Sequence, residues 1–540
     1  MTEHLGVVIG GSFKDGLEVR LDAARSTEAV QVGNFVVVEG DDNRYFSTIA
    51  DLELRLTDPA LAADPPPAGS PFLRAALAGT HTYAVAEVKP SLMLEGKDSL
   101  TGGGPKPVRT IPMHFALLRE AAGEDFAVVF GEEGSGKFAL GSPLTMEHPI
   151  PLDLVRLVER SNGVFGQSGT GKSVLTRLLL CGVIKSELAS TLVFDMHSEY
   201  AWQKEGEGGA QLRGLRDLFG SRVGVYSLDS RDAGRQALDA TLQIGLNEIE
   251  PGDIELLAGE LNLTPTFAAT SFNLYREYRE RWLERLLAMD GDAVKEFCAR
   301  TGANQQAVDA LRQKLNLLTG LDYVKPRAET SVVDDLIRRL QRKGHVVLQF
   351  GRHSRLLDYM LVANILTRRI HRAYTEQVLR FDQTRDAADR PHPLTIVLEE
   401  AHKFLSPAVA RQTIFGTIAR EMRKYSVTLL VVDQRPSGID AEVLSQLGTK
   451  ITALLTEEHD IDAVLTGVAG RSHLRGVLAS LETKQQCLVL GHAIPMPMVL
   501  RTRAYDDAFF AAMGGRAKPR TIDEIRTRGR AAKAELFGVE

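Results

Sequence analysis

Eight residues, Gly166-Gln167-Ser168-Gly169-Thr170-Gly171-Lys172-Ser173, match the phosphate-binding pattern GxxxxGK[ST]. The short apolar run Gly163-Val164-Phe165 precedes them, and a helical stretch from Lys172 to about Lys185 follows. That context predicts a strand, a glycine-rich turn and a helix. Glycines let the backbone curl until consecutive N–H groups point at phosphate oxygens, and the helix N-terminus adds a partial positive charge. The expected ligands are ATP and Mg²⁺, held by the loop through Val174. Lys172 reaches the β- and γ-phosphates, and the Ser173 hydroxyl ligates the metal.

A hydrolytic site also needs acids opposite the loop. Leu394-Thr395-Ile396-Val397-Leu398-Glu399-Glu400 supplies an apolar strand ending in two carboxylates. Glu399 is expected to hold Mg²⁺, and Glu400 to polarise the attacking water. In Asp195-Met196-His197-Ser198-Glu199-Tyr200, Asp195 and Glu199 follow another strand, and acids there point into the ligand crevice of an open α/β sheet. They are expected to assist the metal or the water. His197 reads as a structural hydrogen-bonding residue in preference to a catalytic one. Ala419–Lys424 reads as helical, so Arg420 and Arg423 share a face. The pair suits either an arginine finger reaching a neighbouring subunit's site or a surface salt-bridge pair. Gln434, in Val432-Asp433-Gln434-Arg435-Pro436, is a candidate sensor of the γ-phosphate, or part of a plain strand-ending turn.

A decoy resembles the loop. Gly131-Glu132-Glu133-Gly134-Ser135-Gly136-Lys137-Phe138 fits GxxxxGK but ends in Phe, carries two acids where phosphate would sit, and leads into residues that do not make a helix. It is expected to be a hairpin turn between strands, with no nucleotide.

The surrounding pattern positions these groups. Residues 1–145 are expected to form a small β-barrel of short strands, with turns at Gly10-Gly11, Asp15-Gly16 and Gly40-Asp41-Asp42. Exposed loops are expected at Asp58–Pro71 and Lys97–Pro107. From Pro151 strands alternate with helices. Gly163–Phe165, Thr191–Asp195, Val223–Leu228, Thr241–Leu246, Val346–Phe350, Leu394–Leu398, Val427–Val432, Ile451–Leu455 and Cys487–Leu490 are expected strands of a largely parallel buried sheet. The expected α/β ATPase core spans 146–252 and 343–505. A helical insertion of three or four helices, residues 253–342, is expected to interrupt it, with a helix start at Thr264-Pro265. Leu274, Tyr278, Trp282 and Leu286 repeat every four residues as one apolar stripe, read as bundle core in preference to a base-stacking site. Residues 506–540 are expected to form a C-terminal arm, whose basic stretch Arg516–Lys533 reads as a solvated helix or an arm on a neighbouring subunit in preference to a DNA site.

Composition fits a globular protein: 44% hydrophobic, 25% charged, net charge −6. The acidic balance confines any DNA-binding surface to a pore or patch. Three widely spaced cysteines, Cys181, Cys298 and Cys487, suggest a reducing cytoplasm, not a disulfide frame or zinc site. No signal pattern and no apolar run of about 18 residues appears, so no membrane association is expected.

Together GQSGTGKS, FDMHSEY, VLEEAHKF, IAREMRKY and VVDQRPS resemble, in order, the HerA branch of the HerA/FtsK motor ATPases. Leu5–Gly11 and Val32–Val37 resemble that family's HAS barrel, and Val489–Pro497 its closing segment. The resemblance spans nearly the whole chain. It implies a RecA-like P-loop ATPase core, a homohexameric ring with ATP at subunit interfaces, and duplex DNA threading the channel. It further implies a NurA-type nuclease or another effector docked on the barrel, for resection of DNA ends and double-strand break repair. It favours Arg423 as the finger and Gln434 as the sensor. The chain departs from the family at Glu399, where Asp is common, and at Met422, where Gly is common. The alternatives are an antiphage defence ring with a different effector, a protein-translocating ATPase and a non-catalytic scaffold ring.

Overall fold

The computed structural model describes residues 4–514 apart from 25, 67–70, 97–103, 135, 207–208, 210, 235–236, 264–265, 329–331, 354, 411–412 and 469–470. The chain forms two compact units, Met1–Asp153 with Val489–Arg501, and Leu154–Leu488 with Thr502–Glu540.

In the first unit, strands run antiparallel in the order Gly16–Leu21, His4–Ser12, Leu117–Glu120, Phe35–Glu39, Asn43–Leu56, Thr82–Glu95 and Lys106–Pro107. Gly16–Leu21 also pairs with Thr82–Glu95, which closes six of the strands into a barrel. Closure removes the sheet edges that would otherwise pair with other chains. Alternating residues fill the interior, among them the fully buried Val19, Val36, Ala86, Val88 and Leu118. Arg119 ties the helix Gly123–Phe130 to the barrel by donating to Asp125 Oδ2 at 2.6 Å, Asp125 Oδ1 at 3.0 Å and Glu39 Oε1 at 2.7 Å.

Several local expectations change in this unit. Gly10-Gly11 is not a turn: the strand His4–Ser12 runs through it with a register shift between Val8 and Gly10. Gly11 (φ 130°) passes so close to its partner that a Cβ would sit 2.4 Å from Gly16 O, so glycine here serves close strand approach. The turn follows at residues 13–15, where Asp15 N donates to Ser12 Oγ. Within Asp58–Pro71, Ala60–Ala63 is helical and Pro71 begins the helix Pro71–Leu77, as proline's fixed φ allows at a first helical position. The decoy joins the helix Gly123–Phe130 to the strand Lys137–Pro143, not one strand to another. Its lysine is used locally, with Lys137 Nζ donating to Phe130 O at 2.6 Å. Most of the Lys97–Pro107 loop lies outside the described residues.

The second unit holds eight parallel strands in the order Ala240–Thr241, Val223–Ser227, His345–Gln349, Ser190–Asp195, Leu394–Glu399, Val427–Asp433, Asn162–Phe165 and Thr449–Thr452. The central strands are buried along their whole length, the mark of a parallel sheet covered by helices on both faces. This is the expected α/β fold built on a parallel sheet. Sheet order places the strand before the phosphate loop beside Val427–Asp433, with the acid-bearing strand next in line. Thr241–Leu246 is not one strand: Thr241 ends a two-residue pairing with Val223–Ser227, and Ile244–Gly245 pairs separately with Val324–Lys325.

The insertion comprises the helices Pro251–Leu256, Phe267–Tyr278, Trp282–Ala288, Gly291–Thr301 and Gln305–Leu315. Thr264-Pro265 lies outside the described residues. The apolar stripe is broken where Arg279 turns left-handed (φ 50°), so its halves belong to two helices. Trp282 is fully buried and donates to Ile249 O at 2.8 Å, which makes it core and unavailable for base stacking. The helix Val332–Gln341 packs on the parallel sheet instead. Among the described residues no helix is long and apolar enough to cross a membrane. The arm expected over 506–540 is described only at its start, as the helix Asp507–Ala512.

Candidate active site

The loop Gly166–Gly171 links the strand Asn162–Phe165 to the helix Lys172–Ser186. Gly166 (φ 152°), Gly169 (79°) and Gly171 (88°) all take backbone angles that side chains disfavour, and a Cβ at Gly166 would meet Thr170 Oγ1 at 2.8 Å and Ala453 Cβ at 2.9 Å. Thr170 Oγ1 donates to Gln167 O at 2.7 Å, and Gln167 N donates to Leu454 O at 3.1 Å, anchoring the loop to the chain after Thr449–Thr452. Lys172 Nζ donates to Gln167 O at 2.8 Å. Burial holds the Lys172 ammonium below the usual lysine range, against the pull of Glu400, Asp433, Glu399 and Glu199. Glu399 is in register with Val432, and Asp433 with Phe165, so the acids and the phosphate loop leave the same end of the sheet. Ser173 and Val174 are half-buried on the first turn of the helix.

Glu399 ends its strand almost wholly buried. Tyr200 Oη donates to Glu399 Oε1 at 2.8 Å, and Tyr359 Oη donates to Glu399 O at 2.9 Å. Among the described residues Glu399 Oε2 has no hydrogen-bond partner. Burial first, then the charge of Asp195, pushes the Glu399 carboxyl up to about 8, against the Tyr200 hydrogen bond. A buried carboxylate oxygen without a partner is costly unless a cation or ordered water meets it. Among the described residues no three acids, histidines or cysteines form a metal cage. One carboxylate and one hydroxyl suit Mg²⁺, which keeps waters and phosphate oxygens as its other ligands.

Glu400 lies just beyond the strand with a left-handed backbone (φ 48°) and is half-exposed. His402 Nδ1 is 3.8 Å from Glu400 Oε2 and 2.9 Å from Asp433 Oδ2, while His402 N donates to Asp433 Oδ2 at 2.7 Å. Asp433 also accepts from Arg435 N at 2.7 Å. Asp433 is buried at the end of its strand, in register with Phe165 just before the loop. Gln434, the next residue, is half-buried.

Asp195 anchors the turn that follows its strand, accepting Glu199 N at 2.6 Å and Tyr200 N at 2.9 Å. It closes the turn that carries Tyr200, through left-handed Ser198 (φ 53°). Burial pushes its carboxyl up to about 6. Glu199 is half-buried, and its carbonyl accepts from Arg177 Nη2. His197 is exposed and offers its carbonyl to Lys204 Nζ at 2.9 Å.

The helix expected across Ala419–Lys424 stops at Glu421, and Met422–Tyr425 forms a 3₁₀ turn. Arg420 Nη2 donates to Ala410 O at 3.4 Å in the same chain. The side chain of Arg423 lies outside the described residues. Asp433, His402 and Tyr200 are the site residues to which sequence patterns assign no role. For Asp433 a signal existed, since an acid ends the apolar run Val427–Val432 just as Glu399 ends its own.

The family profile described as "Helicase HerA, central domain" matches residues 138–370. The DNA double-strand break repair helicase HerA of Sulfolobus acidocaldarius is 35% identical over 432 residues, 78% of this chain and 79% of that protein. The DNA double-strand break repair helicase HerA of Pyrococcus furiosus is 24% identical over 531 residues, 93% of this chain and 92% of that protein. A solved structure of the bacterial conjugative coupling protein TrwB aligns at a TM-score of 0.47 with 12% identity, over 74% of this chain and 94% of that one.

Proposed function

From the premise that this chain belongs to the HerA helicase family, we propose that it is an ATP-driven translocase of duplex DNA, working as a homohexamer with a NurA-type nuclease in DNA end resection. The observation that carries the reading is that the phosphate loop and Glu399-Glu400 follow the C-terminal ends of the two strands that flank Val427–Asp433, in a chain similar along most of its length to HerA relatives.

The loop N–H groups and the N-terminus of the helix Lys172–Ser186 bind the phosphates. Lys172 exchanges the Gln167 carbonyl for the β- and γ-phosphates. Ser173 and Glu399 would hold Mg²⁺, which when bound neutralises charge on the phosphate oxygens. Glu400 orients a water and accepts its proton as the water oxygen bonds to the γ-phosphorus and ADP departs. Gln434, next to Asp433 at the end of its strand, monitors the γ-phosphate, and Arg423 reaches the site of the adjacent subunit. DNA contacts are made to phosphates and carry no sequence information, so an acidic chain with a local basic surface suffices.

The test is steady-state ATP hydrolysis with and without linear duplex DNA, beside the particle mass in solution. DNA stimulation of a ring-sized particle is expected, and Lys172→Ala should abolish hydrolysis without changing that mass. DNA-indifferent hydrolysis would overturn the translocase reading, and collapse of the Lys172→Ala particle would make the loop a structural element.

A further inference from the structure

Glu399 is one methylene longer than the aspartate common at its position, and a longer acid on a strand end needs a second restraint to present a fixed oxygen. The surroundings supply it. Tyr359 fixes the backbone carbonyl, and Tyr200, itself fully buried, donates its hydroxyl to Oε1. Only Oε2 is left without a partner among the described residues. Tyr200 is held in turn from two sides. Asp195 accepts its backbone N–H at 2.9 Å, and the Arg177 guanidinium carbon lies 5.8 Å from the centre of its ring. Arg177 belongs to the phosphate-loop helix, so the same helix that begins with Lys172 and Ser173 packs on the residue that steers Glu399.

We infer that Tyr200 is a positioning residue for the metal site: its hydroxyl occupies Glu399 Oε1 and leaves Oε2 as the single oxygen offered to a divalent cation. The segment Asp195–Tyr200 then serves the metal through Tyr200, not through Asp195. The inference rests on the reading of Glu399 as a metal ligand.

Tyr200→Phe in the full-length chain removes only the hydroxyl. Binding of a fluorescent ATP analogue in EDTA should be unchanged. The Mn²⁺ half-saturation in the presence of ADP, followed by the loss of the free-ion electron paramagnetic resonance signal, should rise about 10-fold, the usual scale for removing a partner of a ligating side chain. Glu399→Gln, measured alongside, separates the two claims. If Glu399→Gln leaves Mn²⁺ binding unchanged, the ligand assignment fails and the inference with it. If Glu399→Gln weakens Mn²⁺ binding and Tyr200→Phe does not, the positioning role alone is overturned. Should Tyr200→Phe not fold, Asp195→Asn takes its place, because it removes one acceptor from the turn that carries Tyr200. The same rise in Mn²⁺ half-saturation without metal-free loss of nucleotide binding supports the role, and an unchanged value overturns it.

Discussion

Glu399 and Glu400 are neighbours in the chain with opposite surroundings. Glu399 is buried and bonded to Tyr200, and burial pushes its carboxyl up to about 8. Glu400 is half-exposed, because the left-handed backbone at that residue turns the chain out of the strand. A water-activating base needs access to solvent, which Glu400 has and Glu399 lacks. Glu400→Gln keeps the size of the side chain and loses the base. It should bind ATP within about threefold of the parent and lower turnover by about 10²–10⁴, the usual contribution of a general base. Single-turnover hydrolysis with a parallel nucleotide titration measures both. Normal turnover would move the role to Asp195 or Glu199.

At the scale of elements, the strand beside the phosphate loop carries an unusual lysine. Lys450 is buried in Thr449–Thr452, in register with Gly163, and donates to Val464 O at 2.7 Å and Thr466 O at 3.1 Å. It thereby satisfies carbonyls at the end of the helix Glu458–Val464. Burial pulls its ammonium down to about 8. The unfolded chain keeps that proton to about 10.5, so between these values the unfolded state binds more protons and stability rises with pH. Relative to Lys450→Met, the wild type should gain up to about 3 kcal/mol as pH rises from about 8 to 10.5, with no change in the difference below pH 7. Urea unfolding of both proteins across that range tests it, and a difference independent of pH would sink it. Elements of this kind were unevenly legible. The parallel strands stood out as Val-, Ile- and Leu-rich runs because both their faces are buried. Gly10-Gly11 was misleading because glycine serves close strand approach as well as turns. The four-residue stripe through Trp282 gave the correct buried face for Leu274 and Leu286, and missed the break at Arg279, where a local backbone reversal leaves no mark in apolar spacing.

At the scale of the whole molecule, what a chain contributes to a neighbouring subunit is least legible from either sequence or fold. The phosphate loop and the acid pair announce themselves because each is contiguous in sequence, whereas Tyr200–Glu399 and His402–Asp433 depend on which strands lie side by side. Arg423 stands further off still, since its proposed target is in another chain. Arg420 is turned toward Ala410 of its own chain, which leaves Arg423 as the cation of the pair to test in trans. Subunits with Arg423→Ala keep their own Glu400, and subunits with Glu400→Gln keep their own Arg423, so each ring alone should be inactive. In a mixed ring an interface is complete where an Arg423→Ala subunit supplies the site and a Glu400→Gln subunit supplies the finger. Random equal mixing around a head-to-tail ring makes about a quarter of the interfaces complete. DNA-stimulated hydrolysis should therefore rise from the background of both parents toward about a quarter of wild type if interfaces fire independently, and remain lower if firing must pass around the ring. The rise should peak at equal mixing and vanish at either extreme. Absence of recovery at any ratio, with subunit exchange confirmed by mass, would count against Arg423 as a finger acting in trans.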